Sequence, residues 1–560
     1  MRMTARFGGA PLAAFVGGLF GLWIYGLRAI DPGSFAWLLQ GDSAQHYLGS
    51  VYFLNEPWHW PPGLITRFGD TPTSVVFTDA IPLVALLAKL VGVPASLQYY
   101  GLWMVACHVL AGWFGHRLLH RIGVAGFAAQ MGAFFFAISP ALMARAYGHE
   151  ALMAHFLVVA ALERALGPWR WRGWIVLTAI AVLVHPYLAA MVGVIGLGAA
   201  AAALAEGAVR RTRLAAQAVI SLAILGCVAW GAGYFVGSGQ LSAGGLGVFS
   251  INLLTWIDPM DWAAYNRRWD TGTPYSSEWS RFLLPQQGGR YEGFTYLGAG
   301  MLVLVVLAGL VRAMGGSSPA PAANAAAPLI PAVRWKYTVW ACLALALVAI
   351  SIRPSIGSHV IAEIHPGRIV EKALGVFRAS GRFIWPLTYL LMAWAIARVD
   401  RLPRGAWLVA LGLAVQIADL NGKFKEFRGR FRHGPPQLAQ PVVSPLWASV
   451  LARCPNLAMV SGVHPGAGWV GPALAAGVAG ARFYPAPTAR YSPEAETQRF
   501  AAVQKLIADN AWRPDTVYLL AAPMPPGVTV KAITDRLPPG MKHEQADGLD
   551  LVFAASCQRY

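Results

Sequence analysis

Residues Gly8–Ile30, GGAPLAAFVGGLFGLWIYGLRAI, form one continuous apolar run, and Gly41–Tyr47, GDSAQHY, follows close behind it. About 20 apolar residues in a helix cross the hydrocarbon of a bilayer. Only helices and closed barrels satisfy the backbone there. This run and those after it are continuous rather than alternating, so the spans are expected to be helices. Met1–Arg6 is basic and resembles the start of a signal peptide, but no small-x-small cleavage site precedes Asp42. We therefore expect a retained first helix with its N-terminus in the cytoplasm. That places Asp42 and His46 just past the outer end of the first span, where water, headgroups and protein meet.

The composition agrees with a membrane protein. Of 560 residues, 56% are hydrophobic and only 12% are charged, about half the charged share of soluble chains. The mean hydropathy is +0.49. A net charge of +18 could point to nucleic acid, but the basic residues are scattered between apolar runs and no nucleic-acid motif accompanies them. Arg and Lys in cytoplasmic loops explain the charge instead.

Working outward, residues 31–78 read as a first outer loop rich in Pro and Trp. Further spans are expected near 97–115, 123–141, 151–163, 174–185, 187–204, 214–235, 294–311, 337–352, 383–397 and 405–419. Together they make an all-α polytopic domain of about eleven helices over residues 1–420. Every loop assigned inside carries Arg or Lys, residues 237–293 form a long outer loop, and 315–332 read as a flexible cytoplasmic linker. The stretch 80–93 reads as a re-entrant segment or an extra span. Residues 421–560 change character and read as a small soluble α/β domain, expected outside, with 422–430 as a solvated basic lead-in. Cys454 and Cys557 both fall in it, and an oxidising compartment would allow them to pair.

The inner loops hold mostly Arg, whereas His, Asp and Glu collect in the outer ones. Asp42 and His46, four apart, share a helical face. Asp42 suits a general base or, alternatively, a helix cap; Asp79 reads as a cap. His149, Glu150 and His155 cluster at a span end, and His185 sits at a hairpin tip. Ionisable groups at membrane boundaries default to function. No tight His-x3-His spacing suggests a metal. Arg368, Arg378 and Arg382 lie in an outer loop, and Arg can hold phosphate bidentately. Arg378 and Arg382, four apart, are expected on one helical face. In Gly288–Gly298, GGRYEGFTYLG, Tyr291 and Glu292 offer an aromatic ring and an acid at the membrane surface.

These strings, with about eleven spans, an acid in a large first outer loop and a C-terminal soluble domain, resemble the GT-C superfamily of membrane glycosyltransferases. The resemblance implies an inverting transfer of a sugar from a polyprenyl-phosphate donor to a hydroxyl acceptor on the outer face of the bacterial inner membrane. It implies Asp42 as catalytic base and His46, His149, Glu150, Tyr291 and Glu292 as acceptor or sugar ligands. Arg368, Arg378, Arg382 and His185 would serve the donor phosphate. Better-known branches show Asp-Asp or Asp-Glu where this chain has Asp42-Ser43, so the second acid falls to Glu150 or Glu292. No cofactor beyond the lipid-linked donor is implied, and a divalent metal stays open. The expected partners are that donor, a glycan, lipid or protein acceptor and membrane lipids, with the protein a monomer. A transporter or flippase of lipid-linked glycans, or an O-antigen-ligase-like polymer transferase, is the alternative; no internal repeat of the transporter kind is seen.

Overall fold

The computed structural model describes residues 9–237, 245–259, 290–314, 330–433, 439, 441–463, 466, 468–488 and 493–558. The basic stretch Met1–Arg6, nearly all of the linker 315–332 and most of the loop 237–293 lie outside the described residues. Within the described residues, six helices are long and apolar enough to cross a membrane: Ala10–Ile30, Gly126–Ala146, Pro186–Ala205, Arg211–Ala232, Ala332–Ile350 and Gly405–His433. Trp171–Val184 and Ala299–Ala313 are apolar but shorter. The expected span near 151–163 is a 3-10 turn, Glu150–Met153, followed by a helix of 10 residues, Phe156–Ala165. At 1.5 Å per residue that helix covers about 15 Å, half the hydrocarbon thickness.

The chain divides into two compact units. The first comprises residues 1–31, 99–226 and 242–436 and is helical. Small residues bring its helices together. A Cβ on Gly17 or Gly112 would collide with a carbonyl of the facing helix, so Ala10–Ile30 and Tyr100–Arg121 approach at backbone distance, as small-residue faces of membrane helices do. Tyr25 and His108 share a hydrogen bond of 2.8 Å across this contact. A second close pair forms where Gly300 meets the Gly412 carbonyl. There Asp419 accepts from Tyr296 Oη at 2.9 Å and from the Ala299 amide at 3.0 Å, satisfying amides that the helix start leaves open.

The second unit comprises residues 32–98, 227–241 and 437–560, a division different from the single cut at 420 that the sequence suggests. The helix Gly405–His433 runs through residue 420 without a break, because Phe424, Phe427 and Phe431 keep one face buried. Residues 32–98 pack on C-terminal residues instead: Tyr52 Oη donates to the Ala473 carbonyl at 2.8 Å, and Asn55 to that of Gly477 at 2.8 Å. The expected α/β fold is present. Its sheet has five strands in the order Arg482–Tyr484, Asn456–Val460, Thr516–Leu520, Leu549–Ala554, Met541–Ala546. The first three are parallel and the last two join antiparallel. Asp547 and Gly548 close that final hairpin with φ of 51° and 74°, the double positive φ of a two-residue turn.

Cys454 and Cys557 form a disulfide across a separation of 103 residues. Closing so long a loop restricts the unfolded chain. Replacing both with Ser is expected to lower the stability of this unit by about 2–5 kcal/mol, read as a lower thermal midpoint under non-reducing conditions.

Candidate active site

In the second unit, the helix Gly41–Asn55 carries Asp42 in its first turn. The cap position belongs to Gln40, with no side-chain cap bond, so Asp42 is not the cap. It is exposed and makes no hydrogen bond or ion pair with any described residue. The positive end of the helix dipole favours a carboxylate there. His46, expected on the same open face, is 1% exposed, and its Nε2 lies 3.8 Å from Asp79. The buried face of the helix holds Ser43, His46, Tyr47 and Ser50, and the imidazole goes with it.

Asp79 does not cap the next helix either, since Ile81 holds that position. Both Asp79 and Ile81 sit at φ 53°. Asp tolerates this region, but for a β-branched residue it is an outlier, and such strain concentrates at functional sites. Gly49 permits the approach, because a Cβ there would strike the Thr78 side chain.

In the first unit, a buried ion cluster joins three segments. Glu292 lies in the 3-10 turn Arg290–Gly293 and accepts from Arg382 Nε at 3.0 Å and Nη2 at 2.8 Å. Arg145 Nη1 donates to the same carboxylate at 2.7 Å and its Nη2 to the Tyr291 carbonyl at 3.1 Å. His149 Nε2 stands 3.6 Å away and is 21% exposed, the open member of the group. The Arg382 guanidinium lies over Tyr187 at 4.8 Å, and Arg145 over Trp385 at 5.7 Å. Two glycines allow the meeting: a Cβ on Gly381 would come within 2.8 Å of the Gly293 Cα.

Arg378 and Arg382 do not share a helical face, because Ser380–Ile384 is a 3-10 turn. Arg382 turns inward onto Glu292, while Arg378 is exposed with its guanidinium 5.6 Å from the Phe249 ring. Phe249 stands edge-on to Tyr291 at 6.4 Å. The open face here is thus His149, Tyr291, Phe249 and Arg378, above a buried Arg–Glu–Arg base. Glu292 is engaged by both arginines.

The other expected residues are placed differently. Glu150 is fully buried, accepting from the Gly148 amide at 3.3 Å. His155 is buried, bonded to Tyr389 Oη at 2.6 Å and lying 4.0 Å from the Trp385 ring centroid. His185 caps Pro186–Ala205, its Nδ1 accepting from the Tyr187 amide at 3.2 Å. Arg368 starts the exposed helix Arg368–Gly375. Arg145 is the residue the sequence reading missed, although it stands in the same string as His149, and Asp79, read there as a cap, lies against His46 instead. Among the described residues no group of three or more His, Cys, Asp or Glu is placed to hold a metal ion.

A family described as "Domain of unknown function (DUF6311)" matches residues 14–421, most of the chain. The chain belongs to the DUF6311 family. The matched region holds both Asp42 and the Arg145–Glu292–Arg382 cluster. No curated protein matches it. Among solved structures, the arabinofuranosyltransferase AftD from Mycobacteria is similar at 15% identity and a TM-score of 0.49. The match covers 97% of this chain and 40% of that one, so the chain spans less than half of that protein's length.

Burial alone would raise the Glu292 carboxyl, but Arg382, His149 and Arg145 hold it well below the usual carboxylate range. Its contribution to stability is therefore complete above about pH 4.3, the unfolded value, and is lost as pH falls from there through the lowered folded value. Glu292→Gln strands two buried guanidiniums and is expected to cost about 3–5 kcal/mol at neutral pH. Thermal midpoints measured from pH 3 to 8 (range chosen to bracket about 4.3) should show that gap at neutral pH shrinking on acidification.

Proposed function

We propose that this protein is an inverting membrane glycosyltransferase acting on a polyprenyl-phosphate sugar, with Asp42 as base. The carrying observation is the state of Asp42: an exposed carboxylate in the first turn of a helix, neither capping nor paired with a described residue. A carboxylate left open in this way can take a proton from an attacking hydroxyl. The resemblance of GDSAQHY and its setting to the GT-C superfamily supports the same role. In the reaction, Asp42 accepts the acceptor's proton while the acceptor oxygen bonds to the sugar C1. The bond from C1 to the phosphate oxygen breaks, and its electron pair leaves with the polyprenyl phosphate, inverting C1.

The donor phosphate falls to Arg378, which is exposed and pairs with no carboxylate among the described residues. Arg382, spent on Glu292, acts as a positioning residue. His149, Tyr291 and Phe249 offer the ring faces and imidazole that suit a sugar or its lipid. The Cys454–Cys557 disulfide supports placing the C-terminal domain outside the bacterial inner membrane, since such bonds persist in oxidising compartments.

A strain lacking the gene, complemented with wild type or Asp42→Asn, tests the reading through mass spectrometry of surface glycans and polyprenyl-linked sugars. Loss of one sugar unit in both the deletion and the Asp42→Asn strain, at normal protein level, is the expected result. A normal glycan profile with Asp42→Asn removes Asp42 as base. An unchanged profile in the deletion itself turns the reading to a transporter. Arg378→Gln is expected to raise the donor KM by about tenfold, the scale of one charge-assisted phosphate contact, with a smaller change in kcat.

A further inference from the structure

The basic stretch 422–430, expected as a solvated linker, lies in the C-terminal half of the 29-residue helix Gly405–His433. That helix is about 44 Å long at 1.5 Å per residue, against a hydrocarbon core of about 30 Å. Its apolar beginning fills the core, so its charged end stands at headgroup level. The end is sorted by face. Phe424, Phe427 and Phe431 are buried, with Phe424 edge-on to Phe20 at 5.2 Å and Phe431 edge-on to Tyr25 at 4.9 Å. Lys425, Arg428 and Arg432 repeat the same spacing on the exposed side.

Opposite them is the end of Ala10–Ile30, which departs from helical geometry at Gly26, φ 71°. Arg28 Nη1 donates to the Arg432 carbonyl at 3.1 Å. The two helix ends enclose a cleft of about 550 Å³ lined by Arg28, Lys425, Arg428, Arg432, Trp23 and Leu27, with other residues but no Asp or Glu. Among the described residues none of the four cations pairs with a carboxylate. Glu426, the nearby acid in sequence, is taken by Lys423 at 2.7 Å.

Four like charges around one wet cleft repel each other, and an anion relieves that repulsion. Guanidiniums match phosphate oxygens in geometry as well as charge. The surroundings favour a lipid over a free ion: Trp23 is 46% exposed with Arg428 4.7 Å from its ring, and Leu27 is 78% exposed. Trp at this depth is an interfacial anchor. We propose that this cleft binds the phosphate headgroup of an anionic membrane phospholipid, whose acyl chains lie along Trp23 and Leu27. It is a site separate from the Arg145–Glu292–Arg382 cluster and does not rest on the transferase reading.

The test uses the full chain purified in neutral detergent, titrated with phosphatidylglycerol, phosphatidylcholine or inorganic phosphate. Thermal midpoint and lipid retention in native mass spectrometry are the readouts. Phosphatidylglycerol alone is expected to raise the midpoint and to be retained. The triple variant Lys425→Gln/Arg428→Gln/Arg432→Gln should need at least about tenfold more of it. The exposed single variant Arg428→Gln, which disturbs no buried contact, should show about a fivefold loss. Equal effects of the two phospholipids, or an unchanged affinity in Arg428→Gln, overturn the proposal. Saturation by inorganic phosphate at the same concentration overturns the lipid source, and displacement by far less polyprenyl phosphate overturns it in favour of the donor lipid.

Discussion

The carboxylate of Glu292, buried between the guanidiniums of Arg145 and Arg382, is the interaction on which the first unit's open face depends. Leaving water costs each of these charges several kcal/mol, which only close geometry and full hydrogen bonding offset. The geometry here is close: one guanidinium spans both carboxylate oxygens and the other reaches one oxygen and the neighbouring backbone. The result fixes three segments of chain against one another. It leaves one net positive charge beneath a surface that carries a further arginine, an imidazole and two aromatic rings. An anion arriving at that surface meets a field already in place rather than side chains that must be ordered first.

Asp42 is governed by the opposite logic. It gains nothing from partners in the described structure and stands in water at the start of its helix, where the helix dipole is its chief support. Its neighbours are constrained: His46 is buried against Asp79, and Asp79 and Ile81 occupy backbone conformations that other side chains would avoid. The exposed carboxylate is thus carried on a rigid and strained base, which holds it in place. The two units thus hold their charges by different devices, a buried ion cluster in one and an exposed acid in the other.

Much of this was legible in the sequence, and the failures have physical causes. Continuous apolar runs located the six described helices long enough to cross a bilayer, because hydrocarbon imposes a length. Short β-rich runs located the sheet, and the chemistry of two cysteines in one domain allowed the disulfide that is seen. Arg145, Glu292 and Arg382 were invisible as a group, since they are 147 and 90 residues apart and no local period records such a meeting. The spacing of Arg378 and Arg382 misled because Ser380 and Gly381 carry a 3-10 turn, which rotates residues four apart onto different faces. The span near 151–163 misled in the same way, its apolar content being real and its helix too short. The grouping of 32–98 with the C-terminal residues depended on side-chain to backbone bonds over more than 400 residues, such as Tyr52 to Ala473.

The contact between Gly293 and Gly381 has an evolutionary consequence. Gly381 cannot gain a side chain unless the Gly293 and Phe249 backbones retreat, and Gly293 cannot gain one unless Ile251 does; retreat at the first contact would draw Glu292 away from Arg382. Gly381, the arginine beside it and the acid it brings that arginine to therefore form a single heritable unit of three letters. Drift at any of them should be found together with drift at the rest, so that across related sequences the trio is kept whole or lost whole.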